Sequence, residues 1–180
     1  MGNRGFTLVE TLVALAIFSA SIVGMLVILG GGISNTTFVK GKTIATYLSQ
    51  EGIELTRNLR DSYTLDGRGW SQFYGDYGDI STGICNTVCQ IESDRQSQMA
   101  TNVFPCAALQ LCQPLNYDTV TGFYQHLATS NTQPVPFTRV LYITPRGSGS
   151  DELHVRSVVT WNYQGQPYSV ESSTNLFNWQ

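Results

Sequence analysis

Gly5-Phe6-Thr7-Leu8-Val9-Glu10-Thr11-Leu12-Val13-Ala14-Leu15-Ala16-Ile17-Phe18 opens the run that decides the fold. From Thr11 to Val39 no residue is charged, and Leu, Val, Ile, Ala and Phe dominate up to Gly30, Gly31 and Gly32. A helix needs about 20 apolar residues to cross the hydrocarbon core of a bilayer, and this run exceeds that. Glu10 is the anomaly. It sits between Val9 and Thr11, at the front of the apolar block. An acidic side chain costs roughly 2.5–3.5 kcal/mol at mid-membrane and less near an end. A carboxylate in such a setting calls for a charged partner, and a plain anchor has no use for it.

A secretory signal peptide places its cleavage site after the apolar core. Here the small residue that offers a site, Gly5, precedes the core, so the apolar segment stays with the mature chain. A cut after Gly5 creates an amine at Phe6, four residues from Glu10. That ammonium is the obvious partner for the carboxylate. Gly5-Phe6-Thr7-Leu8-Val9-Glu10 closely resembles the processing site of type IV prepilins and of type II secretion pseudopilins, and Arg4 matches their basic residue before the glycine. The resemblance covers Met1 to about Val39. It implies cleavage after Gly5 by a prepilin peptidase and N-methylation of Phe6. It also implies that Glu10 pairs with the Phe6 amine of a neighbouring subunit, setting axial register as helices stack into a filament.

The rest of the 180-residue chain supports one modest globular domain. A net charge of −3 and a pI near 5.2 give no general nucleic-acid footprint. Charged residues make up only 13%, below the common level of about 25%. The deficit reflects the apolar run and a Ser/Thr/Asn/Gln/Gly-rich exterior. Arg4 before the span and Lys40 and Lys42 after it leave the positive-inside rule undecided. Four cysteines in the polar part decide it. Disulfides persist in oxidising compartments, so the start reads as cytoplasmic and the head as periplasmic or extracellular.

Residues 4 to about 61 read as one long helix, softened at Gly24 and Gly30–Gly32 and lacking the proline that many pilins carry there. Continuous from Phe6 to Asp61, it would be about 84 Å long. Beyond Lys40 it becomes amphipathic, with Ile44, Leu48, Leu55 and Leu59 in a stripe and Tyr47 and Ile53 at its edges. Glu54 with Asn58, and Arg57 with Asp61, are spaced to interact along the polar side.

Residues 62–132 read as loop-rich, with Gly67-Arg68-Gly69-Trp70 and Tyr74-Gly75-Asp76-Tyr77-Gly78-Asp79 as aromatic, glycine-punctuated segments. Cys85, Cys89, Cys106 and Cys112 read as two disulfides rather than zinc, because only the first pair has a zinc-type spacing. Their spacing leaves three pairings open. Asp76 and Asp79, with Asp66 upstream, are weak calcium candidates without EF-hand spacing; solvated loop carboxylates are the simpler reading. No other metal site and no cofactor is indicated.

From Phe137 the pattern alternates: Thr138–Thr144, Glu152–Tyr163 and Tyr168–Leu176 read as an antiparallel meander, with a turn at Gln164–Pro167. The expected architecture is therefore α+β and pilin-like. It divides into a leader (1–5), a membrane and filament-core helix (6–39), its amphipathic continuation (40–61) and a head (62–180) with a Cys-containing loop region (62–132) and a sheet (137–177). His126 and His154 are the only histidines, and no local hydrolase, zinc-protease or phosphate-loop motif is present. An enzyme is unsupported. The resemblance implies a structural subunit, a pilin or minor pilin, or else a pseudopilin of type II secretion or DNA uptake. Its implied partners are other pilin subunits, the prepilin peptidase, an inner-membrane platform and a cytoplasmic ATPase. The rival from another class is a membrane-anchored binding module that never polymerises.

Overall fold

The helix predicted from residue 4 is seen over Leu8–Leu65 (α1). This computed structural model describes residues 5, 7–79, 81, 83–85, 88–93, 100–106, 112–147 and 150–178, with the side chains at 31, 33, 34, 93 and 100–102 excepted. The chain divides into two units, Met1–Gly41 and Lys42–Gln180.

In the first unit, every described side chain from Thr7 to Thr37 is exposed. The helix is long and apolar enough to cross a membrane. Its hydroxyls are folded back onto its own carbonyls: Thr11 Oγ1 donates to Leu8 O, Ser19 Oγ to Leu15 O and Ser21 Oγ to Ile17 O, each at 2.8 Å. Polar groups satisfied within the segment are what a hydrocarbon environment demands.

In the second unit, the end of α1 comes four residues later than predicted, at a Schellman turn. Arg68 N–H donates to Tyr63 O at 3.0 Å and Gly67 N–H to Thr64 O at 3.2 Å. Gly67 takes φ 75°, which a side chain would resist. The Arg68 guanidinium lies 3.7 Å from the centroid of the Tyr63 ring and closes the motif by a cation–π contact.

The segment read as aromatic loops instead folds as a short helix, Gly69–Phe73 (α2), and a π-helical turn, Tyr74–Gly78. Trp70, Phe73 and Tyr77 turn inward there, Phe73 and Tyr77 against Tyr63 and Trp70 against Phe73. Burial of three aromatic rings overrides the local glycine signal. The strands among the described residues are β1 (Val88–Ser93), β2 (Ala100–Cys106), β3 (Asn116–Asp118), β4 (Tyr124–Gln125), β5 (Thr132–Pro134), β6 (Phe137–Pro145), β7 (Glu152–Tyr163) and β8 (Gln166–Phe177). Among the described residues they form a five-stranded sheet of order β2-β1-β6-β7-β8 and a three-stranded sheet of order β4-β3-β5. The predicted meander is thus β6–β8, and the β1–β2 hairpin extends it. The turn between β7 and β8 is shorter than expected, only Gln164 and Gly165, both at positive φ as a type I′ turn requires.

One sheet face carries Ile91, Leu141, Ile143, Leu153 and Val155 onto Ile53, Leu55, Leu59 and Tyr63 of α1. Leu48, Leu55, Leu59 and Ile53 of the predicted stripe are buried, but the stripe needs correction at its centre and its start. Ala45, Ser49, Gly52 and Thr56 are buried at its centre, whereas Tyr47 is 68% exposed and Ile44 only half-buried. Small residues let the helix approach the strands: a Cβ on Gly52 would lie 2.4 Å from Ser157 Oγ. The opposite face is covered at Val140 and Val88 by Cys106 and Cys112.

Candidate functional site

The start of α1 is built by Thr7. Its Oγ1 accepts the Glu10 backbone N–H at 3.2 Å, and its carbonyl accepts Thr11 N–H at 3.3 Å. Thr7 is therefore the N-cap, and Thr7-Leu8-Val9-Glu10 has the Ser/Thr-x-x-Glu spacing of a capping box. Glu10, in the first turn, lies where the helix dipole favours a negative charge. Both Gly5 and Glu10 are exposed, and Phe6 lies outside the described residues. Sequence reasoning named Gly5, Phe6 and Glu10 but passed over Thr7. The threonine three residues before the glutamate was the available signal.

What surrounds this start is apolar surface on all sides: Leu8 is 76% exposed, and Leu12, Leu15, Ile17, Phe18, Leu26 and Ile28 are exposed as well. Such a surface has to be covered, by lipid or by other helices.

In the head, the cysteines pair locally, Cys85 with Cys89 and Cys106 with Cys112. The first pair joins the aromatic core and the second seals the far face of the sheet. Asp76 and Asp79 are engaged within the protein. Asp76 Oδ2 accepts the Tyr63 hydroxyl at 2.8 Å, and Asp79 Oδ1 accepts Ser81 N–H at 2.7 Å. Asp66 pairs with Arg68 at 2.8 Å. Among the described residues no three His, Cys, Asp or Glu side chains converge on a metal position. Burial, with the Tyr77 and Asp76 side chains, pushes the Tyr63 hydroxyl pKa far up and keeps it a donor.

Arg139 is the central polar residue of the head, only 1% exposed. It donates from Nη1 to Glu51 Oε2 at 2.8 Å and from Nη2 to Ile91 O at 3.0 Å, joining α1, β6 and β1. Nothing in the alternating pattern around Arg139 distinguished it from a surface arginine. On the polar side of α1, Arg57 pairs with Glu54 at 2.6 Å rather than with Asp61, which instead takes Arg60 at 2.6 Å. The histidines lie apart: His154 Nδ1 meets Asn175 Oδ1 at 2.6 Å on the sheet's far face, and His126 is buried beside the small sheet. Burial, and then the Arg139 charge, lower the His126 pKa from 6.5 to about 4, against the backbone of Gln113, which favours the charged form.

Two comparisons with known proteins bear on what this chain is related to. The family model for the prokaryotic N-terminal methylation motif matches residues 1–29. The chain is 34% identical over 88 residues to the type II secretion system protein I of Escherichia coli, covering 45% of this chain and 71% of that protein. No solved structure matches the chain. An apolar helix headed by Gly5-Phe6-Thr7-Leu8-Val9-Glu10, a sheet packed on its amphipathic continuation and these two matches place the chain in the pilin and pseudopilin family of structural subunits.

Proposed function

We propose that the protein is a non-catalytic subunit of a type IV pilus-like filament, cut after Gly5 and methylated on Phe6. Residues 6–39 hold it in the cytoplasmic membrane with its start in the cytoplasm and its head outside. The same residues then bundle with the helices of neighbouring subunits. The observation that carries this reading is the fully exposed apolar run of α1 with one carboxylate, Glu10, at its capped start. Lipid accommodates that run before assembly and other helices cover it afterwards. Assembly supplies Glu10 with a cationic partner on a neighbour, the Phe6 amine of the next subunit.

Within this class, the likeness to a type II secretion system protein I favours a pseudopilin of a secretion apparatus over an adhesive or motility pilin. The helix also lacks the proline common in major pilins. The chain carries no nucleotide motif, so assembly draws on a cytoplasmic ATPase and a membrane platform, and processing on a prepilin peptidase. Intact-mass and amino-terminal analysis of the protein from its native host tests the reading. A chain beginning at N-methylated Phe6 is expected. A chain that keeps Arg4 and Gly5 would point to an anchored module that never polymerises.

A further inference from the structure

The five-stranded sheet ends in two edges of different character. At the β2 edge stands Pro105, and the β1–β2 register shifts between Glu92 and Ser93, both devices that blunt an edge. At the other edge, β8 runs 12 residues in unbroken register with β7. The two-residue turn makes Tyr163 and Gln166 a hydrogen-bonded pair, so even-numbered residues of β8 bond to β7 and odd-numbered ones point their N–H and C=O groups outward. Two observations agree with that parity. Pro167, which has no N–H, falls at an outward position, and Asn178 N–H donates to Asp151 O at 2.9 Å. Ser169, Glu171 and Ser173 therefore present an exposed main-chain ladder.

The usual defences are missing from this edge. β8 has no lysine or arginine and no bulge, and its single proline lies next to the turn. Its one charge, Glu171, is held by Arg156 in a two-point pair at 2.9 and 2.7 Å. Tyr168 and Phe177 add partly exposed rings near the two ends of the ladder.

We propose that the outer edge of β8 receives an extended strand of a neighbouring subunit, continuing the head's sheet across the filament contact. Only another extended backbone matches a row of alternating donors and acceptors. The partner is a subunit because, on the function proposed above, subunits stand side by side with their heads outward. The incoming segment is not β8 itself: pairing of identical edges is two-fold and closes a dimer, whereas a filament repeats a head-to-tail contact.

Full-length variants in the native host test this. Ser173→Pro removes one outward N–H, and Ser169→Lys with Ser173→Lys places cations along the edge; neither touches the bonds to β7. Both are expected to lower incorporation at least about tenfold, with oxidised, folded heads in the membrane. A photo-reactive residue at Ser173 is expected to cross-link to a second subunit. If Ser173→Pro fails to fold, the lysine pair decides. Incorporation within about twofold of the parent, or a cross-link to a secreted protein instead of a subunit, overturns the proposal. Glu10→Ala run in parallel separates the two readings. If it assembles normally, the assembly reading itself fails. If it is blocked while the lysine pair assembles, only the edge contact fails.

Discussion

Glu10 is tied to Thr7 within its own helix: its backbone N–H meets Thr7 Oγ1 at 3.2 Å. The cap orders the first turn and uses the backbone of Glu10, leaving the carboxylate on the exposed surface. One residue is thus fixed through its main chain and available through its side chain. In the proposed assembly, the first property positions the second.

Two substitutions separate these roles. Glu10→Ala is expected to abolish filament incorporation while the head's melting temperature in detergent stays unchanged. Thr7→Ala loses the cap, worth about 1 kcal/mol, and is expected to reduce incorporation without abolishing it. Thr7→Ser should restore it. Equal incorporation by Glu10→Ala and the parent would remove the register argument.

Gly52 is expected to tolerate no side chain. A Cβ there would meet Ser157 Oγ at 2.4 Å, and Arg139 Cδ and Ser157 Cβ at 3.2 Å. Overpacking of this kind costs about 1–3 kcal/mol. Gly52→Ala should lower the midpoint of thermal unfolding, and adding Ser157→Gly should recover most of the loss. A double-mutant cycle with no coupling between the two would mean that α1 shifts on the sheet without penalty.

Arg139 and Glu51 form the buried link between α1 and the sheet. Glu51→Ala leaves the guanidinium with carbonyl partners alone, and an uncompensated buried charge is strongly destabilising. Because Glu51 is itself 37% exposed, water can replace part of what it supplies. The expected loss is about 2 kcal/mol in denaturant titration. Glu54→Ala, which breaks the exposed pair with Arg57, is the control and should cost under about 0.5 kcal/mol.

His126 makes the head sensitive to acid. Its pKa is lowered to about 4 in the folded chain, so below pH 6.5 the unfolded chain binds more protons and stability falls as the pH falls. The loss develops between pH 6.5 and about 4 and reaches about 3 kcal/mol. The charged groups around it are Arg139, which opposes protonation, and Glu92, whose carboxylate accepts the His126 backbone N–H at 3.2 Å. His126→Phe should flatten stability over this window in melts from pH 7 to 4. An unchanged slope would assign the acid sensitivity to other groups.

Each disulfide closes a short loop, of separation 4 for Cys85–Cys89 and 6 for Cys106–Cys112. Loop-closure entropy then assigns about 2 kcal/mol to each. Cys106→Ser with Cys112→Ser should also uncover Val140, and an apolar dye should report it. Reduction that leaves the melting temperature unchanged would show that the packing alone holds this face.

Sequence by itself determined the parts of this protein whose physics is local and one-dimensional. An uncharged run from Thr11 to Val39 can only be covered by lipid or by other helices, and alternation from Thr138 to Leu176 can only be a sheet with one face buried. The Gly5–Glu10 stretch is equally legible, because it is a local motif, and the N-terminal methylation model matches it within residues 1–29. Tertiary structure alone decided the rest. The aromatic glycine-rich stretch became helical because Trp70, Phe73 and Tyr77 found a core to fill. The buried face of α1 is centred on Ala45, Ser49, Gly52 and Thr56, because close approach to a sheet selects small size, which hydrophobic periodicity does not register. Arg139 became a buried tie, the cysteines paired with their near neighbours and β8 was left as an edge. Each of these depends on which distant residues are brought together, and no local pattern encodes that.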